Sequence, residues 1–374
     1  MLKINPGKST VWLRPDTIQI GLEADAVIVG GLSPAHQRFI RALQSGIADN
    51  QLGIIARTSR IGITEAERLI DRLAGAMLEN SQAAVGSGQP QSPLVALRDV
   101  NPDFSELIRI ALQTNSNGNA VVAHRANRLL HIETLDKTGV TIIRGLANAG
   151  FAQFWSGDSA GVSDADVQAL GYSTEQLGFS RVDAMNEIAA GFANNVVIVA
   201  FNGQRLRTIE RVDLAILIAH QAIDPRRYKK LMKFGVPHIA ITYNELGVRV
   251  SPIVVPNKTQ CLGCHDKAIN AVDPLHAVRM TQLAHASQRY DDSSAVLFSA
   301  AMVVAAATEF LDSQQGFAHQ QFERLGWQFE RATGRVFRID WPALPTCNCF
   351  AREAEAEADL EGLDFESAQE SRRA

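Results

Sequence analysis

Four cysteines set the strongest constraint on how this chain can fold. They are the only cysteines among its 374 residues, and they fall into two short pairs, Cys261-Leu-Gly-Cys264 and Cys347-Asn-Cys349. Each pair can present two sulfurs to one tetrahedral ion, which is the donor set of a structural four-thiolate zinc site. The spacing therefore predicts one zinc ion per chain, tying the segment around the first pair to the C-terminal region.

Two other uses of the cysteines are disfavoured. The N-terminal ten residues do not resemble a signal peptide and no apolar run approaches membrane-spanning length, so a reducing cytoplasm is expected, in which disulfides are rare. A redox Cys-x-x-Cys motif would leave the second pair unexplained. Because a closed four-sulfur site has no open position for a substrate, the metal is interpreted as structural and no cysteine is left as a nucleophile.

Composition excludes one broad class of function. The chain is 46% hydrophobic and 20% charged, which is typical of globular proteins, and its 374 residues are enough for two or three compact units. Its formal net charge is −4 and its pI is near 6.2. A nucleic-acid-binding protein needs a surplus of clustered Lys and Arg, so such a role is not expected.

Residues 1–80 predict a small α+β module. Thr10–Arg14 and Thr17–Gly21 alternate apolar and polar residues on either side of Pro15-Asp16, a turn dipeptide, which predicts a hairpin. Residues 26–29 supply a third strand. Ser33-Pro34 is an N-cap followed by a proline in the first turn, and it predicts a helix that ends near residue 43.

A second predicted helix ends this module, which could then bind either DNA or an extended peptide. It is predicted to open at Thr64 with a capping-box-like start. Strands followed by helices are typical of a winged helix, but acidic residues interleave with the arginines and cancel a DNA-binding field. A short sheet with a free edge beside an amphipathic helix instead favours binding of an extended peptide. The candidate groove residues are Ala26, Val27, Ile28, Val29, Arg68, Leu69, Arg72 and Leu73.

A flexible linker at residues 81–93, rich in Gly, Ser and Pro, separates this module from a second domain at residues 94–350. There, apolar strands alternating with helices predict a parallel sheet covered on both faces, the doubly wound class. The apolar runs are 107–112, 129–132, 141–149, 151–155, 196–201, 214–219 and 238–243. Residues 351–374 form a charged, repetitive tail that is expected to be disordered.

The first strand of a doubly wound domain normally leads into a glycine-rich, phosphate-binding turn. If Gly139 takes the last place of that turn, Thr134 and Asp136 occupy the first two glycine places. Gly139 would permit close packing of the helix, whereas a carboxylate at Asp136 would repel phosphate. Asp158 follows the next strand where a ribose-binding acid would lie, but a surface loop aspartate is the preferred interpretation.

Three further elements are predicted towards the C terminus. Asp224-Pro225 begins a helix with a basic face, and 292–312 is a mostly apolar, buried helix. Residues 322–341 predict a hairpin that returns the chain to Cys347. His265, next to Cys264, could support the metal ligands from outside the first shell of donors.

Several of these segments together resemble a known family. The resemblance is carried by Gly235-Val-Pro-His238, Ser251–Pro256, Thr259–Cys264, Pro345–Cys349 and the N-terminal segments 11–14, 18–22 and 27–32. They are similar to the ThiF-like, ubiquitin-activating-enzyme-like proteins of ribosomal peptide (RiPP) and bacteriocin biosynthesis. More narrowly, they resemble the partner proteins that work with a YcaO-type cyclodehydratase on thiazole- and oxazole-modified peptides (TOMMs).

The resemblance implies a winged-helix-like RiPP recognition element that binds the leader of a precursor peptide, joined to a Rossmann-like adenylating-enzyme-type domain. Active relatives keep a glycine turn, a basic residue after a Gly-x-x motif and an aspartate after the fourth strand. Here Arg181 can fill the basic place, but the turn is altered and His220-Gln221 replaces the aspartate. A cytoplasmic, non-catalytic scaffold that does not bind ATP is therefore expected, with homodimerisation expected by analogy. The alternative is an enzyme that adenylates a peptide carboxyl group using Asp158 and Arg181.

Overall fold

The structure is a computed structural model that describes residues 1–79, 104–116, 118–192, 195–201, 211–286, 288–313, 325–341, 347 and 349. The predicted linker at 81–93 and the predicted tail at 351–374 lie outside these residues. The chain divides into two compact units, Met1–Ala123 and His124–Ala374.

The N-terminal unit contains a three-stranded antiparallel sheet in the order β1-β2-β3. Its strands are β1 (Thr10–Arg14), β2 (Thr17–Ile20) and β3 (Val27–Val29). The predicted hairpin is confirmed, because Arg14 pairs with Thr17 across Pro15-Asp16. Ile18, Ile20 and Val29 point inward from the sheet and are buried. The third strand is one residue shorter than predicted, since Ala26 precedes it.

Helices cover the inner face of this sheet. They are α1 (Pro34–Ser45), α2 (Leu52–Ser59) and α3 (Ile63–Arg72), with short 3-10 turns at Asp49–Gln51 and Ala74–Ala76. A fourth helix of this unit, α4 (Phe104–Thr114), contacts the N-terminal segment, where the Ala111 carbonyl accepts from Asn5 Nδ2 at 2.7 Å. The Ser33 hydroxyl caps α1 by accepting from the His36 amide, as predicted. The predicted capping box at Thr64 is wrong: α3 begins one residue earlier, and Gly62 is its N-cap without a side-chain hydrogen bond. Since glycine is tolerated at an N-cap, the helix can start without Thr64.

The C-terminal unit is built on an eight-stranded sheet. Its strands are β4 (Leu129–Ile132), β5 (Gln153–Ser156), β6 (Val197–Ala200), β7 (Leu214–His220), β8 (His238–Asn244), β9 (Gly247–Val250), β10 (Leu325–Glu330) and β11 (Val336–Asp340). Their order is β11-β10-β9-β8-β7-β4-β5-β6.

The sheet is mixed, which corrects the expectation of an all-parallel sheet. Strands β6, β5, β4, β7 and β8 are parallel, whereas β9, β10 and β11 pair antiparallel at one side. The reason lies in the connection from β8 to β9, where Asn244 pairs with Gly247 across two residues. So short a connection can join only antiparallel strands. The predicted C-terminal hairpin is confirmed by β10 and β11.

Helices lie on both faces of this sheet. They are α5 (Asn119–Ala126, at the boundary of the units), α6 (Lys137–Asn148), α7 (Arg181–Ala190), α8 (Pro225–Lys233), α9 (Leu262–Val272), α10 (His276–Leu283) and α11 (Ser293–Ser313). The apolar runs 107–112 and 141–149 therefore lie in helices, and the other runs form or flank strands.

Strand β7 shows how the two faces are separated. Ile216 and Ile218 join a core with α6 and α11, while Ala215 and Leu217 join a second core with α8 and the cysteines. Because successive side chains of a strand point to opposite faces, a fully apolar strand is buried on both sides.

Helix α11 passes a length and composition test for a membrane span, which corrects the expectation that no apolar run approaches that length. It packs along α6 and the sheet, and its buried residues include Ser299, Thr308 and Asp312. The Asp312 carboxylate accepts a hydrogen bond from Arg125 Nε at 2.9 Å. A helix that buries an ion pair inside the fold is a core helix, in agreement with the buried helix predicted here.

Candidate functional site

The four cysteines converge in the C-terminal unit, as the sequence predicts. The Sγ of Cys261 lies 3.9 Å from that of Cys264 and 3.7 Å from that of Cys347, and Cys264 lies 3.7 Å from Cys349. These sulfurs are too far apart for disulfides. A tetrahedral site with bonds of about 2.3 Å has edges of about 3.8 Å, so the sulfurs are spaced to hold one metal ion.

Local structure explains how the first pair is presented. Cys261 precedes α9 as its N-cap, and Cys264 lies in the first turn of that helix, with its amide hydrogen-bonded to the Cys261 carbonyl. The positive end of the helix dipole favours negatively charged thiolates. Gly263 between them packs closely on a neighbouring helix, because a Cβ there would lie 2.7 Å from the Tyr228 hydroxyl and would displace that side chain.

The electrostatics of the cluster call for a cation. Burial, followed by the charge of the neighbouring thiols, raises the pKa of Cys261 far above its ordinary range. Burial also raises the pKa of Cys349, to about 11. Cys347 is different: burial is outweighed by hydrogen bonds from the Cys349 backbone and the other sulfurs, and its pKa falls to about 7. Four thiols so close together cannot all ionise unless a metal ion replaces their protons.

Trp341 and His265 pack beside the cysteines without contacting their sulfurs through a hydrogen bond that the structure gives. Trp341 Nε1 donates to the Cys261 carbonyl oxygen at 3.3 Å, and the His265 ring stacks on Trp341 with ring centroids 4.3 Å apart. Lys267 Nζ lies 3.6 Å from the Cys347 sulfur. His265 therefore contributes through packing on Trp341.

A second cluster surrounds the N-terminus of α6, where the sequence places the altered nucleotide turn. Asp136 is the N-cap of α6, and its Oδ1 accepts from the amides of Thr138 at 3.0 Å and Gly139 at 3.3 Å. A Cβ at Gly139 would lie 2.0 Å from the Thr134 carbonyl oxygen. Gly139 thus permits the close helix packing that the sequence predicts, and Asp136 fills the place where a helix N-terminus would bind an anion.

Arg289 covers this carboxylate. Its Nη2 donates to Asp136 Oδ2 at 2.7 Å and to Asp291 Oδ2 at 2.8 Å, and Lys137 Nζ lies 3.7 Å from Asp291. His220 ends β7 with Nε2 4.0 Å from Asp136 and its ring stacked on Tyr243. Sequence reasoning missed Arg289 and Asp291, because they come from a segment 153 residues beyond Asp136 with no motif to mark it.

Both carboxylates of this second cluster remain ionised. Burial would raise the pKa of Asp136, but His220, Arg289 and the Gly139 amide outweigh it and hold the pKa below its ordinary value. Burial would also raise the pKa of Asp291, but the charges of Arg289 and Lys137 outweigh it and hold the pKa below its ordinary value. The trio Asp136, His220 and Asp291 is close enough to hold a metal ion, but its negative charge is already balanced by basic side chains of the chain itself.

Asp158 and Arg181 meet beside this cluster. Arg181, the first residue of α7, donates to Asp158 at 3.0 Å and to Asp166 at 2.7 Å. Asp158 also accepts from the amides of Leu135 at 2.7 Å and Ala160 at 2.9 Å. The interpretation of Asp158 as a surface loop residue is therefore wrong, because its side chain is only 6% exposed and orders the turn after β4.

The structure divides the predicted peptide-groove residues into two groups. Val29, Leu69 and Leu73 lie in the core of the N-terminal unit. Ala26 and Val27 are half-buried, whereas Ile28, Arg68 and Arg72 are exposed. Strand β3 lies at one end of its sheet, and Arg72 Nη2 donates to the Gly30 carbonyl just beyond it at 2.7 Å. The accessible surface therefore consists of Ile28, Arg68 and Arg72 beside the strand edge, referred to below as the β3 edge.

No protein-family model matches the chain, and no curated protein matches it by sequence. Solved structures do match its fold. The crystal structure of E. coli MccB with AMPCPP and MccA is 13% identical, with 92% of this chain and 98% of that chain covered and a TM-score of 0.58. The microcin C7 biosynthetic enzyme MccB in complex with N-formylated MccA is 12% identical, with 93% and 99% covered and a TM-score of 0.58.

PaaA is similar in the same way, at 14% identity, with 90% of this chain and 99% of that chain covered and a TM-score of 0.62. At these identities the likeness establishes the fold. The chain thus has an MccB-like, Rossmann-type fold, and the doubly wound class expected for its second domain is confirmed.

Proposed function

We propose that this chain is a non-catalytic, peptide-binding scaffold of ribosomal peptide and bacteriocin biosynthesis. It would bind the leader of a precursor peptide and present it, in the cytoplasm, to a YcaO-type cyclodehydratase or another modifying enzyme. The observation that carries the non-catalytic part is Asp136, which caps α6 beneath Arg289 where an adenylating enzyme needs room for phosphate.

The charge arrangement around Asp136 supports this part of the proposal. A phosphate approaching the α6 N-terminus would meet two buried carboxylates, Asp136 and Asp291, and would have to displace the Asp136 side chain from the helix amides. A phosphate and these carboxylates carry like charges, and like charges repel strongly in a site that is shielded from water. Arg289 and Lys137 could neutralise a phosphate, but both already contact the carboxylates.

The β3 edge supports the peptide-binding part. An extended peptide could add to β3 as a further strand, with main-chain hydrogen bonds supplying affinity. Ile28, at 60% exposure, offers an apolar contact, and Arg68 and Arg72 on the adjoining α3 suit acidic leader side chains. The MccB structures that share this fold hold the peptide MccA.

Zinc is the metal we assign to the cysteines. Four thiolates at tetrahedral spacing select a soft or borderline ion, and the absence of an open coordination position gives it a structural role. We further infer, by analogy with related sheets, that the chain forms a homodimer, which sedimentation of the metal-loaded protein would test.

Binding of the precursor peptide encoded beside this gene tests the proposal. The full chain should bind a fluorescently labelled leader in an anisotropy titration, and Ile28→Glu should weaken binding by roughly tenfold or more because it places a charge at the strand edge. Leu13→Glu is the matched control: Leu13 is 50% exposed on β1, at the opposite end of the same sheet. Equal loss in both variants, or no binding of any leader from its own gene cluster, would contradict the proposal.

A second candidate function is ATP-dependent adenylation of a peptide carboxyl group. It is favoured by the shared fold with MccB, whose structure holds AMPCPP, and by Arg181 at the start of α7 beside Asp158. This function requires Asp136 and Arg289 to move away from the α6 N-terminus. ATP–pyrophosphate exchange by the purified chain with its peptide separates the two candidates.

A further inference from the structure

A cavity of about 150 Å³ lies in the C-terminal unit beside strands β8 and β9. Its walls include Ala240, Tyr228, Leu262 and Trp341, which belong to the core that contains the cysteines. Asp136 and α6 lie against the other core, on the opposite face of the sheet. The cavity is therefore distinct from the altered nucleotide site and from the β3 edge.

Arg249 is the feature that gives this cavity a chemistry. It lies on β9 between Val248 and Val250, which point into the opposite core, so strand alternation aims Arg249 to the cavity side. Its cross-strand neighbours are Thr242 on β8 and Gln328 on β10. An arginine in the centre of three strands, half-buried, is costly unless its charge is compensated.

The partners that the structure gives Arg249 are neutral or weak. Nη1 lies 3.0 Å from His265 Nε2, which must accept, and Nη2 lies 3.5 Å from Gln328 Oε1. Nε is shielded from water and has no hydrogen-bond partner. Among the described residues no carboxylate lies within ion-pair distance of Arg249, and the nearby Asp266 instead contacts His276 at 3.2 Å.

The remaining lining defines what can fill the cavity. Arg249 is the single Lys or Arg among the described lining residues, and Asp266 is the single carboxylate. Asp266 is held 3.2 Å from His276 and makes no ion pair with Arg249, so the guanidinium can take one small anion, whereas a polyphosphate would be repelled by Asp266. Much of the wall is apolar, from Ala222, Ile223, Leu262, Ile269, Met280 and Trp341. The planar guanidinium fork matches a carboxylate, and the volume accommodates a short branched carbon chain behind it.

We propose that this cavity is a binding site for a monocarboxylate with a small apolar body, anchored by Arg249. The carboxylate would take the unused donors of the guanidinium, and Ile269 and Met280 would contact the carbon chain. The same chemistry is offered by a free short-chain acid and by the C-terminal carboxylate of a peptide ending in an aliphatic residue.

Titration calorimetry of the metal-loaded full chain tests this site, at constant ionic strength, with isovalerate and its uncharged analogue isovaleramide. Isovalerate should bind with a Kd of about 1–10 mM, and isovaleramide at least roughly tenfold more weakly. Arg249→Gln should lower the affinity for isovalerate by roughly tenfold or more. Arg226→Gln, which alters an exposed arginine of α8, should leave that affinity unchanged. N-acetyl-leucine binding more tightly than isovalerate would point to a peptide C terminus, and the reverse order to a free acid.

The proposal is overturned if isovaleramide or the Arg249→Gln variant matches the reference affinity, if inorganic phosphate binds more tightly than isovalerate, or if no heat is seen up to about 50 mM isovalerate. If the Arg249→Gln protein loses its bound metal, the Ile269→Phe variant tests the site instead, because it narrows the cavity and leaves the arginine in place. This variant should bind isovalerate more weakly but still bind formate, which has no carbon chain to fit. An unchanged affinity for isovalerate would rule out the site.

Discussion

The cysteine cluster and the cluster of Asp136, His220 and Asp291 are both groups of side chains that could ligate a metal, yet their converging charges are balanced in opposite ways. Three of the sulfur–sulfur distances are 3.7–3.9 Å, and Lys267 Nζ lies 3.6 Å from the Cys347 sulfur. The carboxylates share Arg289 at 2.7 and 2.8 Å. The first cluster needs an external cation, whereas the second carries its own.

The two clusters therefore differ in what they lack: the cysteines have no cation among the described residues to replace their protons, whereas the carboxylates are paired with Arg289. A site that depends on an added ion should respond strongly to its removal, and a site balanced internally should respond to loss of its arginine.

Replacement of Cys261 by Ser should have the largest effect. Loss of one thiolate lowers metal affinity sharply, and because structural zinc contributes on the order of 10 kcal/mol in small sites, the C-terminal unit should lose several kcal/mol of stability. Metal content by mass spectrometry and thermal unfolding measure both. Thr308→Ser, which keeps a buried hydroxyl in α11, should change neither; a Cys261→Ser protein with one metal equivalent and an unaltered Tm would contradict the assignment.

Gly139→Ala should disturb the second cluster through its backbone. The added Cβ would lie 2.0 Å from the Thr134 carbonyl oxygen, so α6 must shift, at a cost of roughly 1–3 kcal/mol in the free energy of unfolding. Gly53→Ala in α2 is the matched control, since its Cβ meets nothing within 4 Å and alanine favours a helix. Urea denaturation distinguishes them, and equal effects would show that close packing at Gly139 is unimportant.

Arg289→Met should convert the self-balanced cluster into one that resembles the cysteines. Two buried carboxylates would lose their shared cation, which should destabilise the chain by about 1–3 kcal/mol, less than for a fully buried pair because Arg289 is half exposed.

Millimolar Mg²⁺ or Mn²⁺ should restore part of the Tm of Arg289→Met and leave the unsubstituted chain unchanged. Arg226→Met, at an exposed arginine paired with Asp224, is the control and should shift stability little. An equal response of all three proteins to the cations would mean that Arg289 does not substitute for a metal.

Asp136→Asn should give the smallest effect, visible as a change in pH dependence. The folded pKa of Asp136 lies below its ordinary value of 3.8, so its contribution to stability is present above that value and is lost as pH falls through the folded pKa. Asparagine still caps α6. Unfolding scans between about pH 5 and pH 2.5 should therefore show a shallower fall for the variant. If the stability of the two proteins fell in parallel as the pH is lowered, the pKa of Asp136 would not be lowered by folding.

The parts of this account that sequence predicts are those encoded by neighbouring residues. The cysteine pairs, the hairpin across Pro15-Asp16 and the packing role of Gly139 all depend on short spacings. Arg289 could not be found in this way, because its contact with Asp136 depends on how distant segments meet. The candidate groove residues divide for another reason. Strand and helix periodicity turns Val29, Leu69 and Leu73 inward, so the sequence identified the elements without separating their buried and exposed faces.

ATP–pyrophosphate exchange, measured with the purified, metal-loaded full chain in the presence of its precursor peptide, shows whether this chain can adenylate a peptide. If Asp136 and Arg289 close the α6 N-terminus, no exchange above background should be seen, while the peptide still binds in the same sample. Clear, peptide-dependent exchange would contradict the account and establish the chain as an adenylating enzyme.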